Sequence, residues 1–340
     1  MNIKTRITKI HYDKNAKGVF VDMLEFFSVF YGLVSRLRNT LYDKGILKTV
    51  KVDAKVISVG NVTTGGVGKT PVVSKLAQYF SDNDEKVAII SRGYGGKLSN
   101  KKVNLISDGV NVYYNAKEAG DEAYWHAVNT PMCSILTCKD RVKAARYAVE
   151  KIGCTVIILD DGFQHRHLYR DLNLLLIDSE KGFGNEKLLP AGPLREGKEA
   201  FDRVDKIVVV NKGNDKKRAE RYSKIIEKKL GHKSFVCQTE PDYIYNIVSE
   251  EKLASGEPIN AVCAIGQPES FFKFLEPNFE IMSKVVFDDH HIYKNDEIEK
   301  IKGIIVTTEK DAVKMSDIKR KDIYAMKLKV DLNIEELLAD

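Results

Sequence analysis

Cysteine is scarce in this 340-residue sequence: the five cysteines are odd in number and form no CxxC pair. This usage argues against a disulfide framework and against a cysteine-based zinc site, so we expect reduced cysteines within the core. The N-terminal stretch carries charge but lacks the apolar segment of a secretory signal peptide. These absences predict a protein of the cytoplasm.

The sequence also lacks a long hydrophobic run. Its most aromatic region, 19–47, leaves only ten uncharged residues, 26–35, whereas a membrane-spanning helix needs about twenty. Apolar residues recur there at helical spacing and basic residues follow, which is typical of an interfacial helix. An ordinary helix packed on the core fits the same pattern, and the pattern alone does not choose between them.

The sequence has little excess of either charge, because its formal net charge is only +6. This surplus suits contact with phosphates or an anionic membrane surface and is too small to indicate nucleic acid. The 43% hydrophobic and 30% charged content is ordinary for a soluble globular protein and excludes wholesale disorder and a polytopic membrane protein. The length favours two domains.

Short β-rich runs alternate with helical stretches, which predicts an α/β fold with a mostly parallel sheet covered by helices. The runs lie at 55–60, 86–91, 155–160, 172–178 and 206–211 and, after a very polar helical segment at 216–233, at 261–266, 284–289, 303–308 and 322–330. We predict a first domain at 49–212, to which the helix region 1–48 belongs, and a second, smaller α/β domain at 213–340 that contributes to the active-site cleft.

The sharpest local signal is a P-loop over 56–80, where an apolar strand leads through a glycine-rich turn into Gly68-Lys69-Thr70 and an amphipathic helix. The turn's backbone N–H groups can surround phosphate oxygens because glycine has no Cβ. Lys69 would bind the β- and γ-phosphates, and Thr70 would ligate Mg²⁺. The predicted nucleotide-binding residues are Thr63, Thr64, Gly65, Gly66, Val67, Gly68, Lys69 and Thr70. Thr63 replaces the usual first glycine, so the match is imperfect.

A P-loop needs a second Mg²⁺ anchor at the end of a neighbouring buried strand, and Asp160 and Asp161 occupy such a position. Which of the two contacts the metal or its water stays open, and the pair could also cap a helix. Guanine-specific P-loop proteins usually carry NKxD, but the corresponding segment here ends in Asn214. Partition-type ATPases place a lysine before the glycine pair, where Thr64 stands. Both classes are therefore disfavoured.

The chain resembles the tetraacyldisaccharide 4′-kinase family of Gram-negative bacteria in several ordered blocks: GN-x-x-x-GG-x-GKTP, SRGYGG, GDE, DDGFQH, PLRE, DHH-x-Y and TTEKDAVK. They lie at 60–71, 91–96, 120–122, 160–165, 193–196, 289–293 and 307–314. One departure is Gly197, where the family commonly has proline, which loosens any prediction about that loop's rigidity.

The resemblance implies that the chain transfers the γ-phosphate of ATP to the 4′-hydroxyl of a tetraacyldisaccharide 1-phosphate, giving the 1,4′-bisphosphate lipid of lipid A biosynthesis. ATP and the acylated disaccharide are then the partners, with Mg²⁺ as cofactor. A lipid acceptor favours the interfacial interpretation of the N-terminal helix. We therefore expect peripheral attachment to the cytoplasmic face of the inner membrane.

A sugar hydroxyl is a poor nucleophile, so transfer benefits from a base that orients it and accepts its proton. The resemblance implies Asp121 as that base and His290 as its hydrogen-bonded partner, with His291 as the alternative. The pair would be assembled across the two domains, which implies closure around ATP and lipid.

Arg92 and Arg195 are candidates for neutralising the sugar phosphate or the transferred group, because a guanidinium can hold two phosphate oxygens. Glu196 is a further candidate for the Mg²⁺ shell. Arg141 could simply begin a helix. The paired histidines at 165 and 167 have no cysteine partner, so we expect them to contact phosphate or solvent and predict no zinc.

A function of another class is also possible: a membrane-docked P-loop NTPase that acts as a switch or scaffold. Such a protein does not need the GDE and DDHHIY segments. An acceptor lipid that accelerates ATP consumption would favour the kinase.

Overall fold

The computed structural model describes residues 3–213, 215–266, 268–288 and 291–339. Within these ranges, twelve strands form one sheet. The strands are β1 (Lys55–Gly60), β2 (Val87–Ser91), β3 (Asn104–Ser107), β4 (Ser134–Thr137), β5 (Val156–Asp160), β6 (Leu172–Asp178), β7 (Lys206–Asn211), β8 (Ser234–Asn246), β9 (Pro258–Cys263), β10 (Glu280–Val286), β11 (Ile305–Thr308) and β12 (Ile323–Asp331).

Helices cover the sheet, and two of them precede its first strand in the chain. The helices are α1 (Ile3–Tyr12), α2 (Val19–Asp43), α3 (Lys69–Asp82), α4 (Ala116–Ala119), α5 (Asp121–Asn129), α6 (Arg141–Tyr147), α7 (Lys216–Leu230), α8 (Pro268–Leu275), α9 (Asn295–Glu299), α10 (Glu309–Ala312) and α11 (Ile334–Leu338). A π-helical turn, Ala148–Ile152, extends α6, and a 3₁₀ turn occupies Lys198–Arg203.

The strands are ordered β10-β9-β11-β12-β8-β7-β6-β1-β5-β2-β4-β3. Pairing is parallel except between β12 and β8 and between β3 and β4. The prediction of a mostly parallel sheet is therefore confirmed. The central strands are rich in Val and Ile and are buried along nearly their whole length, as expected for strands covered on both faces.

The predicted domain division at 212/213 falls between β7 and α7. Strand β8 crosses this point in the sheet, because its first part pairs in parallel with β7 and its remainder pairs antiparallel with β12. One hydrophobic cluster also crosses this point, because it combines residues of β1, β2 and β5 with Phe235, Cys237 and Leu337, whereas a separate cluster packs around β9 and α8. The division into two domains stays a prediction.

Helix α2 covers little of the core. Its buried residues are Val21, Leu24, Ser28 and Asn39. Eight apolar side chains on the helix are more than half exposed: Val19, Phe26, Phe27, Val29, Phe30, Leu33, Val34 and Leu37. None of the helices in the described ranges combines the length and apolarity that crossing a membrane requires. The cysteines, in contrast, are all buried, as expected.

The end of β1 approaches the segment after β5 so closely that only glycine fits. A Cβ on Gly60 would lie 2.6 Å from the Cβ of Phe163 and 2.7 Å from its backbone nitrogen. Gly60→Ala should therefore lower the free energy of unfolding by about 1–3 kcal/mol, because the Phe163 backbone must shift. Gly66→Ala is the control, since its added Cβ meets no atom within 4 Å. Equal denaturation midpoints for the two variants would contradict this packing.

Candidate active site

A cavity of about 1570 Å³ opens between the glycine-rich loop and the C-terminal end of the sheet. One wall carries phosphate-binding chemistry, and it comprises residues 64–70, Arg92, Arg141, Asp160, Asp161 and Arg195. The C-terminal part of the chain also lines the cavity, with the apolar Ile265, Phe274, Leu328 and Val330 and the charged Glu309, Lys310, Lys327 and Lys329. The phosphate-binding residues therefore share the cavity with both apolar and charged side chains.

The glycine-rich loop adopts a conformation that its sequence makes possible. Gly65 and Gly68 have φ of 103° and 96°, a region that residues with a Cβ rarely adopt. Helix α3 begins immediately afterwards at Lys69, so its N-terminal N–H groups face the loop. The N–H of Thr64 donates to the carbonyl of Pro193 at 2.8 Å. The predicted P-loop is thus held by the PLRE segment.

Lys69 contacts the end of β5. Its Nζ donates to Asn61 Oδ1 at 3.2 Å and lies 3.4 Å from Asp161 Oδ1. Arg195 Nη1 donates to both Asp161 oxygens, at 3.2 and 3.0 Å. Burial acts to raise the pKa of Asp161, but the two cations outweigh burial and hold the pKa at about 2. Asp161 is therefore an anion between two cations.

Asp160 lies beside a histidine that the sequence analysis did not select. His126 Nε2, on α5, is 3.1 Å from Asp160 Oδ2, and both side chains are buried. Asp160 Oδ1 is also buried and has no hydrogen-bond partner within the described residues. A buried carboxylate oxygen in this state needs a proton donor or a cation. Asp160 thus fits a metal-ligand role beside Thr70.

The described ranges contain no cluster of three or more His, Cys, Asp or Glu side chains suited to a metal. Mg²⁺ is usually bound by one or two protein oxygens, with substrate phosphates and water completing the shell. The hydroxyl of Thr70 and the carboxylate of Asp160, both on the cavity wall, match that donor set. They fit Mg²⁺ better than a metal enclosed by protein ligands.

Arg141 begins α6, as the sequence suggested, but it also faces the cavity. The side chain is fully buried, and none of its guanidinium nitrogens has a hydrogen-bond partner in the described part of the chain. Burial, and then the positive charge of Arg92, lower the pKa of Arg141 to about 10. A buried cation without a hydrogen-bonded partner indicates a place for an anion.

Glu196 lies in a network of its own. Its Oε1 accepts a hydrogen bond from Asn39 Nδ2 at 2.9 Å, and its Oε2 accepts one from Gln164 Nε2 at 3.2 Å and pairs with Arg203. Both carboxylate oxygens are therefore engaged by side chains. The network also connects α2 to the reaction surface, because Asn39 belongs to that helix.

The predicted base is in a different position from the P-loop residues. Asp121 is the first residue of α5, and its Oδ2 lies 3.9 Å from Lys314 Nζ. Its neighbour Glu122 lines the cavity, whereas Asp121 is outside the described lining. The predicted partner His290 lies outside the described residues. His291 Nε2 is 2.9 Å from Glu297 Oε2, so this alternative partner has a carboxylate of its own.

The histidine pair at 165 and 167 lies outside the lining of the large cavity. His165 and His167 line a second, smaller cavity with basic side chains from Lys101, Lys139 and Lys143. Burial, and then the positive charge of Arg141, lower the pKa of His165 to about 3. His165 is therefore neutral at physiological pH.

Comparison with known proteins identifies the family. A profile of the tetraacyldisaccharide-1-P 4′-kinase (LpxK) family matches residues 21–340. The tetraacyldisaccharide 4′-kinase of Syntrophus aciditrophicus is 36% identical, covering 98% of this chain and 96% of its own length. That of Desulfotalea psychrophila is 38% identical, covering 85% and 86% respectively.

A solved structure agrees in fold. The crystal structure of LpxK from Aquifex aeolicus in complex with ATP aligns with a TM-score of 0.75 and 33% identity, covering 94% of this chain and 97% of that one. Similarity of this extent over both full lengths confirms the resemblance of the ordered sequence blocks. The chain belongs to the tetraacyldisaccharide-1-P 4′-kinase family.

Proposed function

We propose that this chain transfers the γ-phosphate of ATP to the 4′-hydroxyl of a tetraacyldisaccharide 1-phosphate, forming the 1,4′-bisphosphate lipid of lipid A biosynthesis. The observation that carries the proposal is one cavity wall on which the P-loop lysine, the Asp160–Asp161 pair and the buried Arg141 converge. Cations, backbone N–H groups and carboxylates together form the surface that phosphoryl transfer uses.

ATP would lie with its phosphates in the loop at 63–70. Its β- and γ-phosphates would attract Lys69 away from Asp161, because a triphosphate carries more negative charge than one carboxylate. A phosphate of ATP would then pair with the buried guanidinium of Arg141. Arg92 and Arg195, also on the cavity wall, would neutralise charge on the transferred group or on the sugar phosphate.

Thr70 and Asp160 would hold Mg²⁺, with Asp161 as the alternative carboxylate. When bound, the ion neutralises charge on the β- and γ-phosphates. His126 would fix the orientation of the Asp160 carboxylate through the contact at 3.1 Å. Glu196 was also predicted as a ligand of Mg²⁺. Both of its carboxylate oxygens already bind protein side chains, so its proposed role here is to orient Gln164.

Asp121 would accept the proton of the 4′-hydroxyl, with His290, or else His291, as its hydrogen-bonding partner. The hydroxyl oxygen attacks the γ-phosphorus, the bond to the β-phosphate oxygen breaks, and ADP leaves with that electron pair. The base must reach the hydroxyl across the cavity. Closure of the two sides around the substrates would bring it there and exclude water.

The exposed face of α2 would attach the protein to the cytoplasmic face of the inner membrane without spanning it. Its exposed Phe, Val and Leu side chains can enter the acyl boundary while its basic residues face lipid phosphates. Asn39 and Tyr31 connect the same helix to the site, since the Tyr31 hydroxyl donates to the carbonyl of Arg195 at 2.8 Å. The lipid headgroup would therefore be delivered beside the P-loop.

The test of this function uses γ-labelled ATP with a tetraacyldisaccharide 1-phosphate in mixed micelles. We expect label in the lipid, one phosphate for each ATP consumed, and little ATP consumption without the acceptor. Consumption that is indifferent to the lipid, with label released as inorganic phosphate, would instead favour a nucleotide-dependent switch.

Lys69→Ala should lower the rate of transfer by on the order of 10²–10³, because a preorganised cation is lost from the transition state. The measurement is kcat with saturating ATP and lipid. Lys86→Ala, which removes an exposed lysine outside the cavity lining, is the control. If kcat of the Lys69 variant stays within about twofold of wild type, the glycine-rich loop does not take part in the transfer reaction.

Asp121→Ala should reduce transfer by about 10²–10⁴-fold, the usual contribution of a general base. Because Asp121 lies outside the described lining of the cavity, the Kd for a non-hydrolysable ATP analogue should stay within about twofold of wild type. Asp317→Ala, at an exposed aspartate, provides the matched control. Wild-type turnover in the Asp121 variant would show that the base is another group.

Replacing Phe26, Phe30 and Val34 together with serine should weaken binding to anionic phospholipid vesicles by about tenfold or more, because these positions form one apolar stripe on α2. The matched control replaces three other exposed apolar residues, Val248, Met282 and Val286. Vesicle sedimentation measures both variants. If vesicle binding falls equally in both variants, or in neither, α2 is an ordinary helix packed on the core and not a membrane-binding helix.

A further inference from the structure

The segment at 307–314 contains a buried carboxylate that the proposed reaction does not use. Asp311 is fully buried in α10. Its Oδ2 accepts hydrogen bonds from Thr308 Oγ1 and from the N–H of Ala264, both at 2.9 Å. Since Thr308 ends β11 and Ala264 follows β9, the ends of two adjacent strands fix this carboxylate.

Asp311 holds a buried ammonium group. Lys314 Nζ lies 2.7 Å from Asp311 Oδ1, and the lysine side chain is only 4% exposed. An ammonium is rarely buried without a counter-ion, because desolvation strongly disfavours it. Asp311 supplies one negative charge, and Asp121 Oδ2, at 3.9 Å, supplies a second. The ammonium therefore stands between two carboxylates, one rigidly held and one at the predicted catalytic position.

A second, more exposed ion pair joins the same two helical segments. Lys310 Nζ lies 3.4 Å from Glu122 Oε1, with about a third of its side chain exposed. Further along α5, His126 contacts Asp160 at the end of β5. Helix α5 is thus held by the C-terminal segment at its start and by the metal-binding side of the cavity further on.

We propose that Lys314 is a positioning residue for the transfer reaction. Its ammonium, fixed by Asp311, restrains the Asp121 carboxylate in the orientation that meets the acceptor hydroxyl. The inference rests on the proposed function, because Lys314 acts only through Asp121. A buried Asp311–Lys314 pair would suffice for packing, and the additional contact with Asp121 is what indicates a role in catalysis.

The restraint matters because proton transfer depends steeply on geometry. A displacement of about 1 Å in a reacting group can cost about 10²-fold in rate. Asp121 begins its helix and is partly exposed, so the orientation of its carboxylate depends on the side chains around it. The fixed charge of Lys314 is one of these contacts, and it connects the C-terminal part of the sheet to the chemistry.

The test is a double-mutant cycle in the full-length protein with ATP and the disaccharide lipid in mixed micelles. Lys314→Met should lower kcat by about 10- to 100-fold, with the KM for ATP within about twofold of wild type. In an Asp121→Asn background the same substitution should change kcat by less than about threefold, because the group through which it acts is already disabled. Lys117→Met, which removes an exposed lysine paired with Asp317, is the control, with losses below about threefold in either background.

Removing the ammonium alone leaves Asp311 as an uncompensated buried charge, so Lys314→Met could fail to fold. The variant Asp311→Asn with Lys314→Met removes both charges and should show the same loss of kcat with a normal circular dichroism spectrum. Wild-type kcat in that variant overturns the inference. An equal loss with and without Asp121 also overturns it, since the role would then be structural. Failure of the proposed function is separate: the wild-type protein would not phosphorylate the lipid.

Discussion

The ion pair between Lys69 and Asp161 is the contact on which the site depends. It joins the first residue of α3 to the residue that follows β5, and Arg195 adds the PLRE segment to the same carboxylate. Parallel strands place the ends of β1 and β5 at one edge of the sheet, so loops distant in sequence meet there. A carboxylate between two cations holds the glycine-rich loop open in a form ready for a more highly charged anion.

This arrangement explains why the phosphate-binding wall contains groups that are poorly compensated. The Arg141 guanidinium is buried without a hydrogen-bond partner in the described part of the chain. The carboxylate oxygen Asp160 Oδ1, which carries the opposite charge, is buried and lacks a partner there too. Such buried groups lower the stability of the fold unless a ligand supplies the missing hydrogen bonds or opposite charge. The rest of the fold, with its Val- and Ile-rich strands and tightly packed glycine at β1, supplies the rigidity that keeps them in place.

The sequence predicted what is determined locally. The strand–loop–helix at 55–82 follows from hydrophobic patterning and glycine, and the central strands were found because both of their faces are buried. Strands β3 and β4 were missed because each has only two consecutive apolar residues, and β8 because its sequence mixes polar residues with Pro241. His126 gave no signal, and Arg141 was interpreted only as the start of a helix, since only the folded sheet brings them to Asp160 and the cavity. Gln164 was visible inside the DDGFQH block, but Arg38, which donates to its backbone carbonyl, lies on a helix far away in sequence.

When ATP binds, Lys69 should exchange its contact with Asp161 for contacts with the triphosphate. A crystal structure of the protein with Mg²⁺ and a non-hydrolysable ATP analogue tests it most directly. We expect Lys69 Nζ within hydrogen-bonding distance of the terminal phosphates, displaced from its present 3.4 Å contact with Asp161, and the Arg141 guanidinium near a phosphate oxygen. A nucleotide bound elsewhere, with Lys69 still paired to Asp161 and the loop empty, would contradict the account.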